Sequence, residues 1–146
     1  MGSITRITSA DAQKKLAAGD ADIYLDVRST PEFAQGHPAG AWHIPLLEAD
    51  PMRGMAPNPD FARVAKAVIP TGKRVVVGCQ SGKRSQQAAG ILSQEGYDVV
   101  FDCIGGFGGE RDPFGGKASP GWAEQGLPVE TGDGGDRSYR VLKAKA

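Results

Sequence analysis

At 146 residues, 40% of them hydrophobic, the chain is long enough to bury one core without help from a metal or a disulfide, and it reads as one domain. Its 17 basic and 17 acidic side chains cancel, so no basic field points to nucleic acid, and no apolar run approaches membrane-spanning length. Two cysteines make no disulfide framework, and an N-terminus without an apolar segment, in which Arg6 breaks the myristoylation pattern, leads to the expectation of a reducing, cytoplasmic setting with no membrane partner.

Strand and helix patterns alternate along the chain. Residues 4–8 read as a short strand and 9–18 as a helix capped by Ser9, with Asp11 in the first turn where a carboxylate meets the positive end of the helix dipole. A second strand covers 23–27, a short helix 31–35 and a third strand 41–44. The stretch 48–57, carrying Met52 and Met55, reads as a surface connector. Asn58 or Pro59 opens a helix whose Phe61, Val64, Ala65 and Val68 fall at i, i+3, i+4 and i+7, one apolar stripe that Pro70, Thr71 and Gly72 bring to an end. A strand over 75–77, a helix over 85–95 with Ser85 as its cap, a strand over 99–103 and a helical turn over 122–125 complete the series. Alternation of this kind with near-continuous apolar strands predicts an α/β fold, a mainly parallel central sheet with helices on both faces. Residues 1–130 form the domain; 131–146, rich in Gly and Asp and then basic at Arg137, Arg140, Lys143 and Lys145, read as a flexible tail.

The junction at Val75-Val76-Val77-Gly78-Cys79-Gln80-Ser81-Gly82-Lys83-Arg84-Ser85 delivers a thiol from a buried strand into a tight loop that opens a helix. Unpaired helix N–H groups, the charges of Lys83 and Arg84, and a glycine at position 82 that lets the loop turn its amides inward all favour a thiolate. A cysteine that is merely a small hydrophobe at a strand end needs neither the glycine nor the cations. Rival motifs fail on spacing. A Walker A loop needs one more residue between Gly78 and Gly82, and a thioredoxin-like redox site needs a second cysteine at position 82. A cysteine phosphatase loop, Cys-x-x-x-x-x-Arg, is one residue longer than Cys79 to Arg84. The shorter ring of amides makes a cradle better sized for one extra sulfur atom than for a tetrahedral phosphate. Strand ends of parallel sheets are also where ligands bind.

Cys79, Gly82, Arg84 and Ser85 match Cys-x-x-Gly-x-Arg-Ser, the active-site signature of the single-domain rhodanese-like sulfurtransferases, which the chain resembles. Residues 25–45, from Asp26-x-Arg28 through Gly36-His37, Gly40-Ala41 and Ile44-Pro45, are similar to the N-terminal signature of that family; Gly105-Gly106 and the run from Trp122 to Pro128 are similar to its closing pattern. The resemblance implies a rhodanese-like fold and covalent catalysis. The Cys79 thiolate would take the outer sulfur of a donor such as thiosulfate, hold it as a persulfide and pass it to a thiol or cyanide acceptor. It further implies that the loop of Gln80, Ser81, Gly82, Lys83, Arg84 and Ser85 binds the transferred sulfur through its amides, with Lys83 and Arg84 attracting an anionic donor. For Arg84 a second role stays open, a salt bridge to an acid such as Glu32 that braces the loop. Asp26 and Arg28 are expected as an ion pair or turn anchors. No cofactor is implied. His37 and His43 are too few for a metal site, and His37 reads as a structural hydrogen-bonding residue.

Cys103, after an apolar strand, reads as a buried thiol, the alternative being a resolving partner for Cys79. One departure from the family pattern is the Gly-rich stretch 107–121 between the Gly-Gly pair and Trp122, expected to form a lid or wall shaping acceptor access. Two classes of function follow. One is an enzyme turning over a small sulfur donor; the other is a persulfide carrier relaying sulfur to a protein acceptor with little small-molecule turnover. A cysteine phosphatase or arsenate reductase ranks behind both.

Overall fold

The computed structural model describes residues 3–80, 83–111, 114 and 117–146. Its elements in chain order begin with β1 (Ser3–Thr8), α1 (Ser9–Ala18), β2 (Ile23–Asp26), α2 (Thr30–Gln35), β3 (His37–Pro38), β4 (Trp42–His43), β5 (Leu47–Asp50) and β6 (Gly54–Pro57). They continue with α3 (Phe61–Val68), β7 (Val75–Gly78), α4 (Lys83–Gln94), β8 (Val99–Ile104), β9 (Glu110–Arg111), β10 (Lys117–Ser119), β11 (Val129–Glu130) and α5 (Tyr139–Lys145). Single 3₁₀ turns occupy Ala123–Gln125 and Gly135–Arg137. Among the described residues no helix is long and apolar enough to cross a membrane.

Five strands form a parallel sheet in the order β1-β8-β7-β2-β4. Because successive side chains point to opposite faces, each inner strand feeds two cores. Ile23 and Leu25 of β2, Val75 and Val77 of β7 and Val100 of β8 join Phe61, Val64 and Ala65 of α3, Ala88, Ala89 and Leu92 of α4 and Leu142 of α5 on one face. Tyr24, Val76 and Cys103 face the other way, against Ala12 of α1, Phe33 of α2 and Trp122. The expected α/β fold, a parallel sheet with helices on both faces, is therefore the observed one. Burial on both faces is also why Val75-Val76-Val77 shows no polar alternation.

Local boundaries differ from the sequence reading for identifiable reasons. Thr8, not Ser9, caps α1, its hydroxyl accepting from Asp11 N. α3 starts at Phe61 because Asn58 is buried, donating through Nδ2 to the Pro45 carbonyl at 2.9 Å and accepting from Asp60 N at 3.0 Å. The stretch 48–57 is no plain connector; most of it forms the antiparallel β5–β6 hairpin. Residues 131–146, expected as a flexible tail, instead return to the domain. Ser138 caps α5 by accepting from Val141 N, and Tyr139 and Leu142, one helical turn apart, are buried against the α3 side of the core. The basic residues around them hide that short apolar stripe in the sequence.

Candidate active site

β7 places Val75 and Val77 on the α4 face, and continuing the alternation past Gly78 brings Cys79 into the same cluster, 1% exposed. Position 78 has to be glycine because the Tyr24 hydroxyl occupies the space where a Cβ would stand. The backbone N–H of Ser85 donates to Cys79 Sγ at 3.4 Å. Since α4 begins at Lys83, Ser85 lies within the first helical turn and is not its cap, a correction to the sequence reading. The helix end therefore presents an amide to the sulfur while the Ser85 hydroxyl turns elsewhere, donating to Asp102 Oδ1 at 2.6 Å. Ser81 and Gly82, both expected in the cradle, lie outside the described residues. Lys83 is exposed at the helix start.

Arg84 is clamped by Glu32 through two parallel bonds, Nη1 to Oε1 at 2.8 Å and Nη2 to Oε2 at 3.0 Å. Glu32 also accepts from the Ser29 backbone at 3.1 Å and its hydroxyl at 2.8 Å, the capping box of α2. The Arg84 guanidinium foremost, with the Ser29 bonds helping against burial, holds the Glu32 carboxyl at about 2. Of the two roles open for Arg84, the ion pair to Glu32 is the one in place; it ties the sulfur loop to α2.

Asp26 and Arg28 form the expected ion pair, Nη2 to Oδ2 at 2.8 Å, and both are buried. Arg28 does more than close that pair. Its Nη2 donates to the Gly36 carbonyl at 2.6 Å, its Nη1 donates to Gln80 Oε1 at 3.2 Å, and its guanidinium lies 4.4 Å from the centre of the Phe107 ring. One guanidinium thus joins the end of β2, the turn after α2, the residue next to Cys79 and the Gly-rich stretch. A buried charge is tolerable only when so fully bonded.

The Gly-rich stretch docks directly on the loop. Phe107 N donates to the Cys79 carbonyl at 2.7 Å and Gly108 N to the Gln80 carbonyl at 2.9 Å. Gly106 permits this approach, since a Cβ there would overlap the Cys79 carbonyl and its φ is +54°. Beyond it, β9 and β10 pair as a short antiparallel hairpin; residues 112, 113, 115 and 116 lie outside the described residues. Arg28, Glu32, Gln35, Gly36, Gln80 and Phe107 line an open cavity of about 430 Å³ beside the loop.

Cys103 belongs to the cluster on the opposite face of the sheet from Cys79, and burial pushes its thiol up to about 11. It fits the buried-thiol reading, not that of a resolving partner. His37 Nδ1 and His43 Nε2 pair with the Phe33 and Arg28 carbonyls at 2.8 and 2.7 Å, and both rings stack on Phe33. Sequence reasoning missed Asp102, 1% exposed beneath the helix end. Its signal was a lone carboxylate inside the strand run Val-Val-Phe-Asp-Cys-Ile.

Comparison with known proteins is consistent with this geometry. The profile of the rhodanese-like domain matches residues 8–109. Thiosulfate sulfurtransferase 16, chloroplastic, of Arabidopsis thaliana is 36% identical over 107 residues, a match covering 73% of this chain and 78% of that protein. Rhodanese-like domain-containing protein 15, chloroplastic, of the same plant is 33% identical over 107 residues, and there the match covers 73% of this chain and only 52% of the relative. Among solved structures, Rv0390 from M. tuberculosis superposes with a TM-score of 0.74 at 26% identity, covering 90% of this chain and 100% of that one.

Proposed function

The chain belongs to the rhodanese-like domain family, and from that premise we propose that it is a sulfurtransferase carrying sulfane sulfur on Cys79. The observation that carries this reading is the Ser85 amide at 3.4 Å from Cys79 Sγ, at the carboxyl end of a central parallel strand and the head of a helix. In the first half-reaction the Cys79 thiolate attacks the outer sulfur of thiosulfate. A new S–S bond forms, the old one breaks, and sulfite departs with the electron pair. In the second, a cyanide or thiolate acceptor attacks the terminal sulfur of the persulfide and regenerates the Cys79 thiolate.

The helix-end amides stabilise the anionic sulfur in both states, as preorganised donors do wherever negative charge accumulates. Arg84 stays close by while Glu32 holds it, so its charge faces an incoming anion without being free to collapse onto the sulfur. The amide and carboxylate groups of Gln35, Gln80 and Glu32 around the adjoining cavity offer polar contacts to an acceptor. A reducing compartment suits such a thiol.

Intact mass after exposure to thiosulfate tests the reading. We expect a one-sulfur adduct, about 32 Da and mapping to Cys79, that cyanide or a small thiol discharges, and its complete loss in Cys79→Ser. No adduct, or equal transfer by Cys79→Ser, overturns the proposal. An adduct that small acceptors leave in place identifies the carrier that relays sulfur to a protein.

A further inference from the structure

Asp102 stands where strand alternation calls for an apolar residue. It shares a face with Val100, pairs in register with Val77 two residues before the nucleophile, and is 1% exposed. A buried carboxylate is costly unless hydrogen-bonded, and here two neighbours meet it from different elements. The Ser85 hydroxyl donates to Oδ1 at 2.6 Å, and Arg6 Nε, from the register partner on β1, donates to Oδ2 at 3.2 Å. Arg6 is half exposed, so its part is that of a counter-charge at the solvent side; the short, fully buried bond is the one to Ser85. Ser85 in turn is the residue whose amide touches the sulfur.

We propose that Asp102 is a positioning residue for sulfur transfer: by holding the Ser85 hydroxyl it fixes the first turn of α4 against β8 and keeps the Ser85 N–H aimed at Cys79 Sγ. The inference rests on the sulfurtransferase reading for its consequence in turnover, though not for its geometry. The apolar contacts of α4 with the sheet, through Ala88, Ala89 and Leu92, lie further along the helix, so loss of the anchor loosens the first turn. Displacement of a donor by an ångström at the reacting atom costs up to roughly 100-fold in rate.

Two measurements on Ser85→Ala, Asp102→Ala, Asp102→Asn and the Ser85→Ala/Asp102→Ala double variant test this. One is the rate of persulfide formation from thiosulfate; the other is the pH profile of Cys79 alkylation by iodoacetamide, with the adduct located by peptide mass. Each alanine variant is expected to slow persulfide formation roughly 10- to 100-fold and to move the alkylation profile to higher pH. The double variant should be no slower than the slower single one, because both act through one bond. Asp102→Asn keeps an acceptor for the hydroxyl and should stay within about threefold of wild type.

A merely structural carboxylate would lower the unfolding midpoint and leave the alkylation profile in place. Wild-type profile and rate in Ser85→Ala, or additive losses in the double variant, overturn the inference. Should Asp102→Ala fail to fold, Ser85→Ala decides alone, since it removes only a hydroxyl. If wild type transfers no sulfur, the function above falls while the alkylation series still judges the positioning.

Discussion

Gly78 is fixed by one neighbour. Tyr24, on the adjacent strand β2 in the register Tyr24↔Val76, lies fully buried and extends its hydroxyl across the position where a residue 78 side chain would begin. Gly78→Ala must therefore displace a ring packed edge-on against Trp122, and overpacking of this kind costs roughly 1–3 kcal/mol. Urea unfolding should show that loss, and the disturbance should reach the adjoining Cys79 as a fall in persulfide formation. An unchanged midpoint would mean the ring moves aside freely. The place of Cys79 between a central strand and a helix was legible in the sequence, because an apolar strand, a glycine, cations and a helix start follow one another there. Asp102 was not, because a single carboxylate in a strand acquires meaning only when the partner across the sheet is known. The reach of Arg28 was hidden for the same reason: Gln80 lies 52 positions away and Phe107 further still.

At the scale of elements, the strands and long helices were legible from periodicity, whereas short pieces held by contacts distant in sequence were not. The β5–β6 hairpin carries too little alternation to announce itself, and α5 shows only two buried side chains amid lysines and arginines. The Gly-rich stretch is the element most open to experiment. Its two ends meet: Phe107 O accepts from Ala123 N at 3.2 Å, and a Cβ at Gly121 would strike the Phe107 carbonyl. The root of the excursion is thus closed, so removal of 108–119 leaves ends close enough to join. We propose that the excursion walls the acceptor side of the loop, since Gly108 bonds to Gln80 at its root. Deletion of 108–119 is expected to preserve the fold, raise turnover with bulky thiols relative to cyanide, and leave the Cys79 adduct intact. Unchanged acceptor preference and rates would remove the stretch from any role in access.

Across the whole molecule, buried and paired titratable groups define the pH range in which the domain is stable. On the acid side Glu32, clamped by Arg84, and Asp22, held first by the Arg74 side chain, both lie at about 2, below their ordinary 4.5 and 3.8. An unfolded chain takes up protons at these groups before the folded one does, so their contribution is present above the unfolded values and is lost as pH falls toward 2. On the alkaline side Cys103 and Tyr97 are raised by burial to about 11 and about 12 from 9.0 and 10.0. Here the folded state keeps protons that the unfolded chain releases, so stability is complete below 9 and declines as pH rises through the folded values. For Cys103, buried against Ser9 with its Sγ at 3.5 Å, the full difference is on the order of 3 kcal/mol. Urea midpoints measured from pH 2 to 11 should form a plateau with two limbs. Glu32→Gln should flatten the acid limb, because its amide has no proton to gain. Cys103→Ser should flatten the alkaline limb without abolishing it, because Tyr97, hydrogen-bonded to the Ala65 and Ile69 carbonyls, still titrates there. An alkaline limb of undiminished steepness in Cys103→Ser would show that the thiol across the sheet from Cys79 does not carry this stability.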